Sequence, residues 1–162
     1  MENQSDSSDQ RRLQGEVLET IFDTKGFEKC CWEGFCEDFE IRGVWTTINP
    51  DGIYKNKTTK EYIIVECYMH IGPLKAGHKG KIAKDVLKMI SAKNAAKKNQ
   101  DKIRLVLVVP DTMIFSGSPD LKGWFSEAVE SLVEIMRIEL NETQCKILIK
   151  AQRRAAAAFQ PA

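Results

Sequence analysis

Hydrophobic and polar positions along the chain change period several times, and these changes predict the elements. Leu13, Val17, Ile21 and Phe22 recur at helical spacing and predict an amphipathic helix over about 13–24, after a polar, serine-rich segment 1–12 expected to be disordered. The runs "FEIRGVWTTIN", "DGIY" and "EYIIVECYM" read as three strands, separated by the turn formers Asn49, Pro50 and Gly52 and by "KNKTTK". "GPLKAGHKG" reads as a loop. A helix over about 79–98 follows, with Ile82, Val86, Met89 and Ile90 facing inward. "KIRLVLVVP" is apolar and β-branched, the pattern of a strand buried on both faces. "SPDLKGWFSEAVESLVEIMRIEL" reads as one amphipathic helix with Ser118 as cap and Pro119 in its first turn, and "CKILIKAQ" as a last strand. "GFEKCCWEGFCED" carries no clear period.

The predicted order is therefore α-β-β-β-α-β-α-β. A strand meander followed by helical crossovers implies an α/β fold, a mixed sheet with helices on its faces. At 162 residues, 43% of them hydrophobic, the chain suits one domain, expected over 13–151 with a C-terminal tail over 152–162. No apolar run approaches the roughly 20 residues needed to span a bilayer, and "MENQSDSSDQRR" lacks the apolar centre of a secretion signal. Five cysteines without regular spacing point to reduced thiols, so a cytoplasmic protein is expected.

The net charge of +1 conceals a local excess: ten Lys and Arg against two Asp between Lys75 and Arg104. That block suits either a phosphate-facing surface or a solvated lysine-rich helix. Inside the apolar run 62–69, alternation places Tyr62, Ile64, Glu66 and Tyr68 on one face and Ile63, Val65, Cys67 and Met69 on the other. A carboxylate buried there requires a compensating charge or metal. If the strand after Pro50 pairs with this one, Asp51 comes near Glu66, and a hard divalent ion such as Mg²⁺ or Mn²⁺ would relieve their repulsion.

Pro50-Asp51, a gap holding a turn and half a strand, then Glu66-Cys67-Tyr68, within the α-β-β-β-α-β order from Leu13 to Pro110, resembles the PD-(D/E)xK nuclease superfamily and its restriction-endonuclease-like fold. The resemblance implies a metal-dependent nuclease acting on nucleic acid, DNA more than RNA, with Asp51 and Glu66 as metal ligands and Glu16 or Glu19 of the first helix joining them. Tyr68 stands where the motif has lysine, and a phenol supplies no fixed positive charge at neutral pH. Members of the superfamily sometimes move this lysine to the following helix, which makes Lys84 or Lys81 the candidate here. The alternative is a nuclease-fold subunit that has lost catalysis and binds nucleic acid or a protein partner. A third is an α/β domain in which a nearby lysine neutralises Glu66 structurally. Lys75, Lys79, Lys88 and His78 are expected on the phosphate-contacting surface, and a homodimer would allow both strands to be cut.

Other signals are weaker. Gly72 and Gly77 have P-loop spacing, but His78 and Gly80 stand where lysine and a hydroxyl residue belong. "GIY" and "HIG" resemble GIY-YIG signatures without the second tyrosine. His70 and His78 are candidate bases or ligands. Trp32, Trp45 and Trp124 suit either core packing or base stacking.

Overall fold

The computed structural model describes residues 5–114 and 123–158. Its chain order is α1 (Ser5–Thr24), β1 (Phe27–Lys29), α2 (Trp32–Asp38), a 3₁₀ turn (Gly43–Thr47), β2 (Gly52–Asn56), β3 (Tyr62–Cys67), β4 (Gly72–Pro73), α3 (Ala76–Ala95), a second 3₁₀ turn (Gln100–Lys102), β5 (Ile103–Pro110), β6 (Met113–Ile114), α4 (Trp124–Leu132), β7 (Glu134–Ile138) and α5 (Glu142–Ala158). Five strands form one mixed sheet in the order β1-β2-β3-β5-β7. β1, β2 and β3 are antiparallel neighbours, whereas β5 runs parallel to β3 and to β7. β4 and β6 form a short parallel pair apart from it.

The alternation predicted along β3 divides two cores. Tyr62, Ile64 and Tyr68 join Leu105, Leu107 and Val109 of β5 beneath Ile82, Val86 and Met89 of α3, with Phe35 of α2 and Val129 of α4. Ile63, Val65, Cys67 and Met69 meet Val106 and Val108 on the other face, under Leu13, Val17, Leu18 and Phe22 of α1 and Leu148 of α5. Every residue of β3 is buried, so the strand is closed on both faces. Among the described residues no helix is long and apolar enough to cross a membrane.

Several elements differ from the sequence expectation. The run "FEIRGVWTTIN" forms no strand: Glu40 and Gly43 adopt left-handed φ of 54° and 73°, and Thr46 and Thr47 hydroxyls donate to the Gly43 and Val44 carbonyls. These local bonds hold the backbone in a 3₁₀ turn. The first strand comes from "FEK" instead, pairing with Tyr54–Asn56. The long helix expected over 118–140 covers only Trp124–Leu132 and gives way to β7, which pairs with the otherwise open side of β5. Ser118 and Pro119, its expected cap and first turn, lie outside the described residues.

The final apolar run is helix rather than strand. Asn141 Oδ1 accepts from the Gln144 N–H and Gln144 Oε1 accepts from the Asn141 N–H, both at 2.9 Å, a reciprocal cap that starts α5. Both ends of the chain are helical beyond the expected limits: α1 begins at Ser5, within the segment expected to be disordered, and α5 continues through the expected tail to Ala158.

Candidate functional site

The site grows from the β2–β3 pairing. Gly52 pairs with Val65, and continuing the register by one step sets Asp51 opposite Glu66. Gly52 has a steric role, because a Cβ there would stand 2.7 Å from Cε2 of the Tyr54 ring. Asp51 is exposed, and its Oδ2 accepts from the Cys67 N–H at 2.9 Å, which ties the carboxylate to the end of β3. Glu66 is 2% exposed. Burial pushes its carboxyl up to about 8, the Lys88 ammonium opposes that shift, and Asp51 and Asp85 add to it. Asp51 and Asp85 are thus close enough for their charges to be felt at Glu66.

The cation that meets Glu66 is Lys88. Its Nζ lies 2.5 Å from Glu66 Oε1 and 3.8 Å from Asp85 Oδ1, and it donates to the Asn49 carbonyl at 3.3 Å. Lys88 thereby supplies the counter-charge of this buried oxygen. Lys88, expected on the phosphate-contacting surface, is turned inward instead. Lys81, expected to reach the carboxylates, lies over the ring of Tyr68 with Nζ 5.4 Å from its centre. Lys84 is exposed and acts on Asp85 only through its charge.

The reason for this redistribution is axial. α3 returns alongside β3 to feed the parallel strand β5, so successive helix turns face successively earlier strand positions. Lys81 thereby meets Tyr68, and Lys88, two turns on, meets Glu66.

Asp85, which the sequence reading passed over, is half-buried between these levels. Burial raises its carboxyl above the usual range, opposed by Lys88 and Lys81. Its signal was present in "KIAKDVLK", where it stands four residues after Lys81 and three before Lys88.

α1 contributes a different residue from those expected. Glu16 is paired with Arg12 at 3.8 Å, and Glu19 with Lys29 of β1 at 2.8 Å. The α1 side chain that reaches the end of β3 is Gln14, whose Nε2 donates to the Cys67 carbonyl at 2.6 Å. From α5, Gln152 accepts from the Ile71 N–H at 3.0 Å and donates to the Ile71 carbonyl at 3.2 Å. Two amides therefore brace the backbone that leaves the site.

Beyond Tyr68 the rings of His70 and His78 meet with centres 4.3 Å apart, tilted by 53°. His70 Nε2 lies 3.2 Å from the Pro73 carbonyl, and His78 Nδ1 accepts from the Lys75 N–H at 3.2 Å. Burial lowers the His70 pKa. Both rings thus fasten the start of α3, and His78 is half-buried rather than fully open to solvent. Lys75 is exposed and Lys79 half-buried in the first turn of α3. Trp32 is packed, stacked on Phe35 at 5.1 Å with its indole N–H donating to Thr46.

The donors gathered here are oxygens: two carboxylates on adjacent strand ends, a third on α3 and the Asn49 carbonyl. Hard divalent cations prefer such ligands, and Mg²⁺ keeps several of its waters, so it needs only one or two carboxylates. Among the described residues no three acidic, histidine or cysteine side chains converge into a ready-made metal cage. A divalent ion held by Asp51 and Glu66 would therefore have to keep most of its waters. Compared with protein-family models, curated proteins and solved structures, the chain matches none.

Proposed function

We propose that this chain is a metal-dependent nuclease of the PD-(D/E)xK type with a restriction-endonuclease-like fold, in which Lys88 takes the part of the motif lysine. The observation that carries this reading is the Lys88 ammonium 2.5 Å from Glu66 Oε1, beside a strand end that sets Asp51 opposite Glu66. Asp51 and Glu66 would hold Mg²⁺ or Mn²⁺, which when bound polarises a phosphate and acidifies a water. Lys88 offsets negative charge at Glu66 and stands where it can orient a water or counter the charge that develops on the phosphate. Asp85 limits the reach of Lys88. The exposed cations Lys75, Lys81 and Lys84 supply the backbone-phosphate contacts, with DNA the favoured substrate. A homodimer would present two such centres to the nucleic acid.

The same ion pair also favours a second reading. Lys88 balances Glu66 without a metal whenever that carboxyl ionises, as it would in a nuclease-fold subunit that only binds nucleic acid or a protein partner.

Cleavage of plasmid and single-stranded DNA with Mg²⁺, Mn²⁺ or EDTA, together with calorimetric Mn²⁺ binding, separates the two. The nuclease reading expects Asp51→Ala and Glu66→Gln each to weaken Mn²⁺ binding at least about tenfold and abolish cutting. Lys88→Met retains Mn²⁺ binding but slows cutting by about a hundredfold or more. Cutting that survives both carboxylate substitutions would sink the site assignment. DNA binding without Mn²⁺ binding or cutting establishes the second reading.

A further inference from the structure

The 3₁₀ turn Gly43–Thr47 raises a separate question, because it presents consecutive large apolar side chains to solvent: Val44 is 74% exposed and Trp45 43% exposed. The turn is held from both sides. Trp32 Nε1 donates to the Thr46 carbonyl at 2.9 Å, and Lys88 Nζ donates to the Asn49 carbonyl at 3.3 Å. Thr46 and Thr47 close it internally through bonds of 2.9 and 2.7 Å. An exposed indole on so constrained a turn has little ordering entropy left to lose on binding.

Its surroundings are cationic on the α3 side, whereas on the α2 side Glu33, Glu37 and Glu40 line a groove with Thr46 of the turn. The turn lies against α3, whose exposed side chains include Lys81, Lys84 and Leu87 and no acidic residue, since Asp85 is turned toward Lys88. Arg42, also exposed, precedes the turn. Protein–protein interfaces are depleted in lysine, whereas an aromatic platform beside a lysine track is the composition that binds single-stranded nucleic acid. Bases within a duplex have both faces covered by neighbours, so a protruding indole stacks on an unpaired base without the few kcal/mol that wedging between paired bases costs.

We infer that Trp45 is a stacking platform for an unpaired nucleobase and that the nucleic acid bound at the Asp51–Glu66 site is single-stranded or locally unpaired. This rests on the nucleic-acid part of the function proposed above, and not on hydrolysis. Trp45 and Lys84 divide the work: the indole takes the base and the ammonium takes the backbone.

The test is binding of fluorescein-labelled dT20 and of a matched 20-base-pair duplex, followed by anisotropy in EDTA at low salt. The native protein is expected to prefer dT20. Trp45→Ala weakens dT20 binding about tenfold and leaves duplex binding unchanged, Trp45→Phe retains most of the affinity, and Lys84→Glu weakens both. Circular dichroism and sedimentation of each variant accompany the titrations. Equal dT20 affinity in Trp45→Ala, a preference for duplex, or no binding of either DNA overturns the inference. So does conversion of a dimer to a monomer by Trp45→Ala, which would make the turn a contact between copies of this chain. Metal-dependent cutting of duplex that is insensitive to Trp45→Ala would remove this inference alone, whereas Trp45-dependent binding of dT20 without cutting would remove only hydrolysis.

Discussion

A carboxylate at the end of a strand closed on both faces imposes a cost that depends on its protonation. Glu66 titrates near 4.5 when solvated and is pushed up to about 8 in the fold, chiefly by burial. Between those two values the folded chain keeps a proton that the unfolded chain has released, so this group's contribution to stability falls as pH rises through that window. Chemical denaturation in EDTA at pH 5 and pH 8 is expected to show the native protein losing on the order of 2 kcal/mol or more relative to Glu66→Gln, which keeps the shape but cannot ionise. An identical pH slope in the two proteins would mean that the Lys88 ammonium already keeps Glu66 ionised throughout. Tyr68, two residues on, has its place explained by neighbours rather than by catalysis, since its ring is buried, carries Lys81 on one side and borders His70 and His78.

Among the elements, α5 depends most visibly on local chemistry. "NETQ" supplies both halves of the reciprocal cap, after which Cys145, Leu148 and Gln152 follow at spacings of three and four on the inward side. Asn141→Ala removes one half of that cap and is expected to cost about 1 kcal/mol, a lowering of the melting temperature by a few degrees in a chain of this size. A melting temperature equal to that of the native protein would show that packing alone fixes the helix start. β3 lies at the other extreme: its position is set by partners on both sides, Gly52–Lys55 on one and Ile103–Val108 on the other. The loop between β3 and α3 matters because it sets which helix turn meets which strand residue, and hence that Lys88 rather than Lys81 reaches Glu66.

For the molecule as a whole, the two cores separate support from chemistry. α1 and α5 cover one face, and the face under α3 carries Glu66, Tyr68 and the lysines. Leu148, 1% exposed, is the buried anchor of α5 in the supporting core. Leu148→Ala is expected to lower unfolding stability by about 2–5 kcal/mol, measured by urea denaturation. Because Leu148 lies across the sheet from Glu66, the DNA affinity of the protein that remains folded should be unchanged. A loss of less than about 1 kcal/mol would place α5 outside the cooperative unit. Gln152, which clamps both polar groups of the Ile71 peptide, also argues that the unit extends beyond residue 151.

The sequence by itself determined the class of fold and the two faces of β3. Strict alternation through 62–69 admits one inward set for each side, and a β-branched run such as 103–110 needs cover on both. It also singled out Glu66 as a charge in need of a partner and Asp51 as the carboxylate opposite it, because a two-residue period and one antiparallel turn fix both. Short apolar runs were ambiguous, since "CKILIKAQ" satisfies strand and helix patterns alike and "VEIMRIEL" extends a helical stripe as readily as it forms a strand. Tertiary structure decided the strand at 134–138 by the open side of β5, whereas α5 rests on the local Asn141–Gln144 cap together with the α1-covered core. It also decided the identity of the cation at Glu66, the replacement of Glu16 and Glu19 by Gln14 at the end of β3, and the exposure of Trp45. Each depends on how far one element is displaced along another, and that displacement is fixed by packing and loop path rather than by the period within either element.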